Sequence, residues 1–246
     1  MKHIIETCFS PALFEYFENK DAIVVVTDVF RATSSICAAF ENGVRSIIPV
    51  KSVDEARTYK EKGYLIAAER NGIKIDFADF GNSPEKFERS IVEGRDIVYS
   101  TTNGTKTIQL GVECKAVVIG AFSNFSVLVD WLQKQDCDVT LLCAGWKNKF
   151  NIEDSIFMGA VADALLKTGK FETICDSTVA AIDMWNEHKN NLAQYLEKCA
   201  QRSRLRKNGV DQCIDYCITM DTCNVIPYYK NGVIKAETMH NTSFPH

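Results

Sequence analysis

Six short apolar runs punctuate the chain, at residues 23–27, 46–50, 64–67, 96–100, 116–119 and 139–143. Nearly all are too continuously apolar for a strand with one face in water, and they read as strands buried on both faces. Between them lie helical patterns with recognisable starts. In SVDEA, Ser52 is placed as an N-cap with Glu55 three residues on, the spacing of a capping box. In NSPE, Asn82 or Ser83 can cap and Pro84 falls in the first turn. Strand and helix in alternation predict an α/β protein of three layers, α/β/α, with a mainly parallel sheet covered on both faces.

The pattern changes after Gly169. From about 175 to 220 it is mostly helical, and the following NVIPYYKNGVIKAE reads as a hairpin turning at Asn231-Gly232. No low-complexity stretch or linker interrupts the chain, so residues 1–246 are expected to form one compact unit. VVVTDVFRATSS and TLLCAGWKNKFNIEDS are each a strand, a polar loop and a helix. Two related, interlocked subdomains near 1–120 and 121–246 are one reading of that echo; a generic strand-loop-helix unit explains it as well.

Composition narrows the classes. At 246 residues, 46% hydrophobic and 24% charged, the chain can bury a large core without staples. A net charge of -4 argues against coating nucleic acid, so an anionic small molecule would have to be held by a local basic site. The ten cysteines include no C-x-x-C pair, which argues against structural zinc. The start MKHIIETCFSPALF lacks the segments of a signal peptide, and no apolar stretch approaches the roughly 20 residues that span a bilayer. These features predict a reduced, cytoplasmic protein with no membrane span, in which the sequons at Asn103, Asn124 and Asn241 are idle.

In an open parallel sheet, ligands bind beyond the carboxyl ends of the strands. The polar residues gather there. Asp28 and Arg31, with Thr33 and Ser34, follow the first strong run; Glu69 and Arg70 follow YLIAA, with Asn82 further on. Thr101, Thr102, Asn103, Gly104 and Thr105 follow DIVYS, Asn124 follows VVIGAFS, and Lys147, Glu153 and Asp154 follow TLLCAGW. STTNGTKT has the composition of an anion cradle but lacks the glycine spacing and G-K-[ST] order of a Walker A loop. Thr33 or Ser34 can equally cap a helix, Asp28 can pair internally with Arg31, and Glu153 and Asp154 can serve a helix dipole. Acids and arginines on one rim suggest metal-assisted chemistry on a phosphate, since magnesium takes few carboxylates and completes its shell with water and phosphate oxygens. His3, His188, His240 and His246 lie outside these clusters, which leaves a histidine-based triad without parts. Cys143 ends a strand, where a small core residue explains it better than a nucleophile. Phe30 stands where phosphatases with a D-x-D motif have their second aspartate.

Through DVFRATSS, AAERNGIKIDFADFGNSP, STTNGTKT, GAFSNFS, CAGWKNKFNIEDS and DYCITMDTCNVIPYYKNGVI the chain resembles the 2-phosphosulfolactate phosphatase family over nearly its whole length. AAERNG departs from a glycine-richer GERGG and leaves the candidate ligands in place. The resemblance implies a magnesium-dependent hydrolase that converts 2-phosphosulfolactate to 3-sulfolactate and phosphate on a route to coenzyme M. The residues expected to act are Asp28, Arg31, Glu69 and Arg70, with Mg2+ held by Asp28, Glu69 and Asp154. Substrate contacts are expected from Thr33, Ser34, Asn82, Thr101 to Thr105, Asn124 and Lys147. The expected partner is a small anionic phosphorylated substrate, and an assembly of identical subunits is compatible with the chain. A magnesium-activated water is the expected nucleophile, with Asp28 as a covalent nucleophile the alternative. A phosphatase of another small phosphorylated carboxylic acid, or a non-catalytic binder of an anionic metabolite, are the rival accounts.

Overall fold

The computed structural model describes residues 2–238; His240, Asn241 and His246 lie outside them. Among the described residues eleven strands form one mixed, mostly parallel sheet. They are β1 (His3–Cys8), β2 (Ile23–Thr27), β3 (Ser46–Pro49), β4 (Leu65–Arg70), β5 (Ile73–Lys74), β6 (Asp96–Ser100), β7 (Ala116–Ile119), β8 (Val139–Cys143), β9 (Phe171–Glu172), β10 (Val225–Lys230) and β11 (Val233–Thr238). The helices are α1 (Ala32–Glu41), α2 (Val53–Glu61), α3 (Arg89–Val92), α4 (Gly104–Ile108), α5 (Phe125–Leu132), α6 (Ile152–Lys167), α7 (Asp176–His188), α8 (Leu192–Leu196), α9 (Ala200–Lys207) and α10 (Ile214–Ile218). They cover both faces of the sheet in an α/β/α architecture.

The strand order is β5-β4-β6-β3-β11-β10-β7-β2-β8-β1-β9. Two parallel sections, β4-β6-β3 and β7-β2-β8-β1, are joined by the antiparallel hairpin β10-β11. The hairpin turns where the sequence placed it, with φ of 51° at Asn231 and 86° at Gly232, a left-handed pair suited to these two residues. Among the described residues, strands before and after residue 120 interleave in the sheet, since β2 lies between β7 and β8 and β11 pairs with β3.

Alternation along β2 explains its apolar run. Ile23 and Val25 enter one core cluster, and Val24 and Val26 enter the other, so no face is left for water. Each buried valine contributes about 1.5–3 kcal/mol, which helps to offset the polar loop that follows. Helix α1, ATSSICAAFE, is buried along its length up to Phe40, and most of its side chains are small. Its Ile36, Cys37, Ala39 and Phe40 share a cluster with β2 and β7 of one parallel section and Ile47, Ile97 and Tyr99 of the other. Both sections thus pack on α1, and their carboxyl ends meet near its start.

The expected caps divide. Ser52 Oγ accepts from the Glu55 N–H at 3.0 Å, and Glu55 Oε2 accepts from the Lys51 N–H at 3.2 Å, an approximate capping box. Ser83 precedes only a short 3-10 turn, Pro84–Lys86, and makes no cap bond. All ten cysteines are free thiols. Among the described residues, no helix is long and apolar enough to cross a membrane.

Candidate active site

The chain leaves β2 into a loop that its own hydroxyls hold shut. The Asp28 N–H donates to Thr33 Oγ1 at 3.1 Å, the Thr33 N–H returns to Asp28 O at 3.0 Å, and Ser34 Oγ donates to Val29 O at 3.0 Å. Thr33 and Ser34 therefore shape the loop from within. Arg31, buried at the start of α1, does not pair with Asp28. Its Nη1 donates to Ser83 Oγ at 2.8 Å and to Val210 O at 3.4 Å, and its Nη2 donates to Gly72 O at 2.8 Å. The internal ion pair that the sequence left open is absent among the described residues.

The three carboxylates expected to hold metal are differently employed. Glu69 lies at the pocket, but its Oε1 accepts from the Thr102 N–H at 2.6 Å, and its Oε2 accepts from the Gly72 N–H at 2.6 Å and the Thr102 hydroxyl at 3.1 Å. Asp154 is fully buried. Its oxygens accept from the Val29 N–H (2.8 Å), the Gly145 N–H (3.0 Å) and Asn151 Nδ2 (2.8 Å), which ties the loops after β2 and β8 together. Gly145 suits that role because φ is +59° and a Cβ there would meet Lys149 O at 2.3 Å. Asp28 faces the pocket, with Gly104 so near that a Cβ on it would lie 3.2 Å from Asp28 Oδ2. Among the described residues no three acidic, histidine or cysteine side chains are grouped as a metal site.

Other expected contacts turn inward. Thr101 Oγ1 accepts from the Thr105 N–H at 3.1 Å, and Thr105 Oγ1 accepts from the Thr101 N–H at 3.4 Å, so the 101–105 loop is largely self-bonded. Asn103 lines the pocket and accepts from the Lys147 N–H at 3.1 Å. Asn82 also lines it and accepts from the Tyr99 hydroxyl. Asn124 is fully buried elsewhere: its Oδ1 accepts from the Ala121 N–H (2.9 Å), and its Nδ2 donates to Ile119 O and Val225 O (both 3.1 Å), stapling β7 to the hairpin. Arg70 is turned away, its guanidinium donating to Glu69 O (2.6 Å) and to Ser100 O and Oγ (3.2 and 2.9 Å) beside a shallow hollow with Arg57 and Lys74. Lys147 is exposed against the ring of Trp146. Burial, and after it the charge of Asp154, push the Cys143 thiol well up, which rules out a ready thiolate.

The resulting pocket is lined by Asp28, Arg31, Glu69, Asn82, Asn103 and Glu153, and also by Phe30, Gly72, Gly145, Trp146, Asn151 and Gln201. Its free space is about 10 Å³, the size of one water or ion. Burial, then Asp154 and Glu69, raise the Asp28 pKa well above the carboxylate range. Burial and Asp28 raise Glu153, and burial and Glu153 raise Asp154 to about 8. Ionised together, these carboxyls would carry more negative charge than Arg31 balances, and burial with mutual repulsion therefore holds protons on them. The residues fit a hard cation: Asp28 and Glu153 face the pocket with Asn151, whose Oδ1 is buried without a hydrogen-bond partner while its Nδ2 donates to Glu153 and Asp154. One or two carboxylates and a carbonyl oxygen are ligands that magnesium accepts. Asn151, Trp146 and Gln201 were not singled out from the sequence; the first two lie in a loop already marked as polar and strand-terminal, and Gln201 carried no signal.

The model of the 2-phosphosulfolactate phosphatase family matches residues 8–232. The chain belongs to this family. It is 34% identical to a protein of Thermotoga maritima over 209 residues, 85% of this chain and 89% of that one. It is 32% identical over 220 residues to one of Caldanaerobacter subterraneus subsp. tengcongensis, 88% and 91% of the two chains. A third, from Clostridium beijerinckii, is 32% identical over 222 residues, 89% and 93% of the two. All three bear the name "Probable 2-phosphosulfolactate phosphatase". Family membership makes the chain a phosphoric monoester hydrolase, and the pocket at the strand ends is its candidate active site.

Proposed function

We propose that the chain hydrolyses the phosphate monoester of 2-phosphosulfolactate to 3-sulfolactate and phosphate, with Mg2+ held by Asp28, Glu153 and the Asn151 carbonyl oxygen. The observation that carries this reading is the strand-end pocket lined by Asp28, Glu69 and Glu153, with Asp154 buried behind it and Arg31 as the buried cation. With its carboxyls ionised the pocket would repel a phosphate dianion; a bound divalent cation would offset that field and polarise the phosphoryl oxygens.

The chain's own groups have distinct tasks. Arg31 presents its Nε–H and the second Nη2 hydrogen, which are free of the Ser83, Val210 and Gly72 bonds, to a phosphoryl oxygen. Glu69 holds the 102 loop and the Gly72 turn against each other, and Asp154 fixes the Val29 and Gly145 backbone behind the pocket. Phe30 and Trp146 exclude bulk water from one side. Water is the nucleophile in this reading, because Phe30 occupies the place two residues after Asp28 where an aspartyl route would need a second acid. A three-carbon ester exceeds the free space of about 10 Å³, so the pocket must widen to bind it.

Phosphate release from a panel of phosphorylated three-carbon acids, with and without chelator, tests the reading. Release from 2-phosphosulfolactate, abolished by chelation and restored by Mg2+, is expected. Absence of release from every ester, or full release after exhaustive demetallation, would overturn it.

A further inference from the structure

Arg204 lies on α9, far in sequence from the strand-end motifs. Its guanidinium stacks 4.2 Å from the centroid of the Trp146 ring, and its Nε donates to Gln201 Oε1 at 2.7 Å. Trp146 and Gln201 both line the pocket, and Gln201 is itself anchored, Nε2 donating to Phe30 O at 3.2 Å. A cation is thus clamped on two sides at the pocket's edge. Its neighbours on the helix are ordinary by contrast: Arg202 and Arg206 both pair with Glu197. Arg204 has no carboxylate within ion-pair distance among the described residues, and its two terminal nitrogens take no hydrogen bond there. The other basic groups are otherwise placed, since the donors Arg31 has left are assigned to the phosphoryl group, Arg70 is turned away and Lys147 is exposed.

We propose that Arg204 recognises the anionic group that the substrate carries besides its phosphate, a carboxylate or sulfonate, and so sets the preference for polyanionic over plain phosphate monoesters. The proposal rests on the phosphatase reading above. Its physical basis is geometric. A planar guanidinium matches a pair of oxygens on either group, and stacking on the indole fixes the plane without consuming an N–H donor. Arg31 is held by Ser83 and Gly72 and Arg204 by Trp146 and Gln201, so two separately anchored guanidinium groups are available, one for the phosphate and one for a second anionic group of a short ester.

The test compares kcat/KM for 2-phosphosulfolactate, 2-phospholactate (carboxylate only), sulfoethyl phosphate (sulfonate only) and ethyl phosphate (neither) in the full chain and its Arg204→Gln and Arg204→Lys variants. The expected result is that Arg204→Gln lowers the ratio of polyanionic to ethyl ester by about 10- to 100-fold, the worth of a charged hydrogen-bonded pair, mainly through KM. Arg204→Lys recovers part of it, and the single-anion ester whose ratio falls identifies the group bound. Because each ratio is taken within one preparation, partial misfolding cancels. Ratios within about twofold of the parent, or equal losses on all four esters, would overturn the role of Arg204. Absence of hydrolysis by the parent protein would instead overturn the phosphatase reading, and the Arg204 proposal with it.

Discussion

Replacing Asp28 with asparagine separates a structural from a functional aspartate. If Asp28 served as the partner of Arg31, its loss would strand a buried charge at about 3–5 kcal/mol. For a chain of this size 1 kcal/mol is worth about 2–4 °C, so Tm would fall by about 6–20 °C. The structure argues the opposite. Arg31 donates to Ser83, Val210 and Gly72, while burial, Asp154 and Glu69 act together to disfavour the ionised Asp28. The near-isosteric amide removes that repulsion, so chelated Asp28→Asn protein should melt no lower than the chelated parent. Its kcat for phosphate release should fall by about 10³ or more, the scale seen when a single group that stabilises developing charge is removed. Thermal unfolding in chelator and a phosphate-release assay with Mg2+ on the same sample check both halves. Near-normal turnover, or a fall in Tm of 6 °C or more (about the lower bound above), would refute the reasoning.

In the chelated protein the native state keeps protons on Asp154 up to about pH 8, whereas the unfolded chain releases them near its ordinary value of 3.8. The native state therefore binds more protons in between; Tm should fall as pH rises from about 4 to about 8, and Mg2+ should raise it most at the upper end, as a pH series of melting curves would show. Asn124→Ala leaves the Ala121 N–H and the Ile119 and Val225 carbonyls unpaired. It should cost about 3 kcal/mol, or about 6–12 °C in Tm, with turnover per folded molecule retained; a KM effect without loss of stability would contradict its placement. Asn151→Ala should raise the Mg2+ concentration for half-maximal activity by about tenfold or more, and an unchanged Mg2+ titration would remove the amide from the cation site.

The strands were legible because both faces of each are buried, so apolar runs mark them directly; the runs at 23–27, 96–100 and 139–143 coincide with β2, β6 and β8. β1, HIIETC, was missed because His3 and Glu6 interrupt its apolar pattern near the edge of the sheet. The hairpin turn is local chemistry and was visible in Asn231-Gly232, whereas its insertion between β3 and β7 depends on partners over a hundred residues away. At the site, a strand-end position identified Asp28 and Glu69. It did not distinguish Glu153, which lines the pocket, from Asp154, which lies behind it, because adjacent helical residues point about 100° apart and the sequence does not say which faces in. Arg70 was recoverable: successive strand residues face opposite sides, so Glu69 and Arg70 could not both enter one pocket from β4. Gln201 and Arg204 reach the site only through the packing of α9, which no local pattern records.

The most direct experiment is a crystal of the protein soaked with Mn2+ in place of Mg2+ and measured at the manganese edge. An anomalous peak bonded to Asp28, with Asn151 Oδ1 and Glu153 completing the protein ligands, is the expected result. A peak at Glu69 and Asp154 without Asp28, or an active enzyme with no manganese in the strand-end pocket, would contradict it.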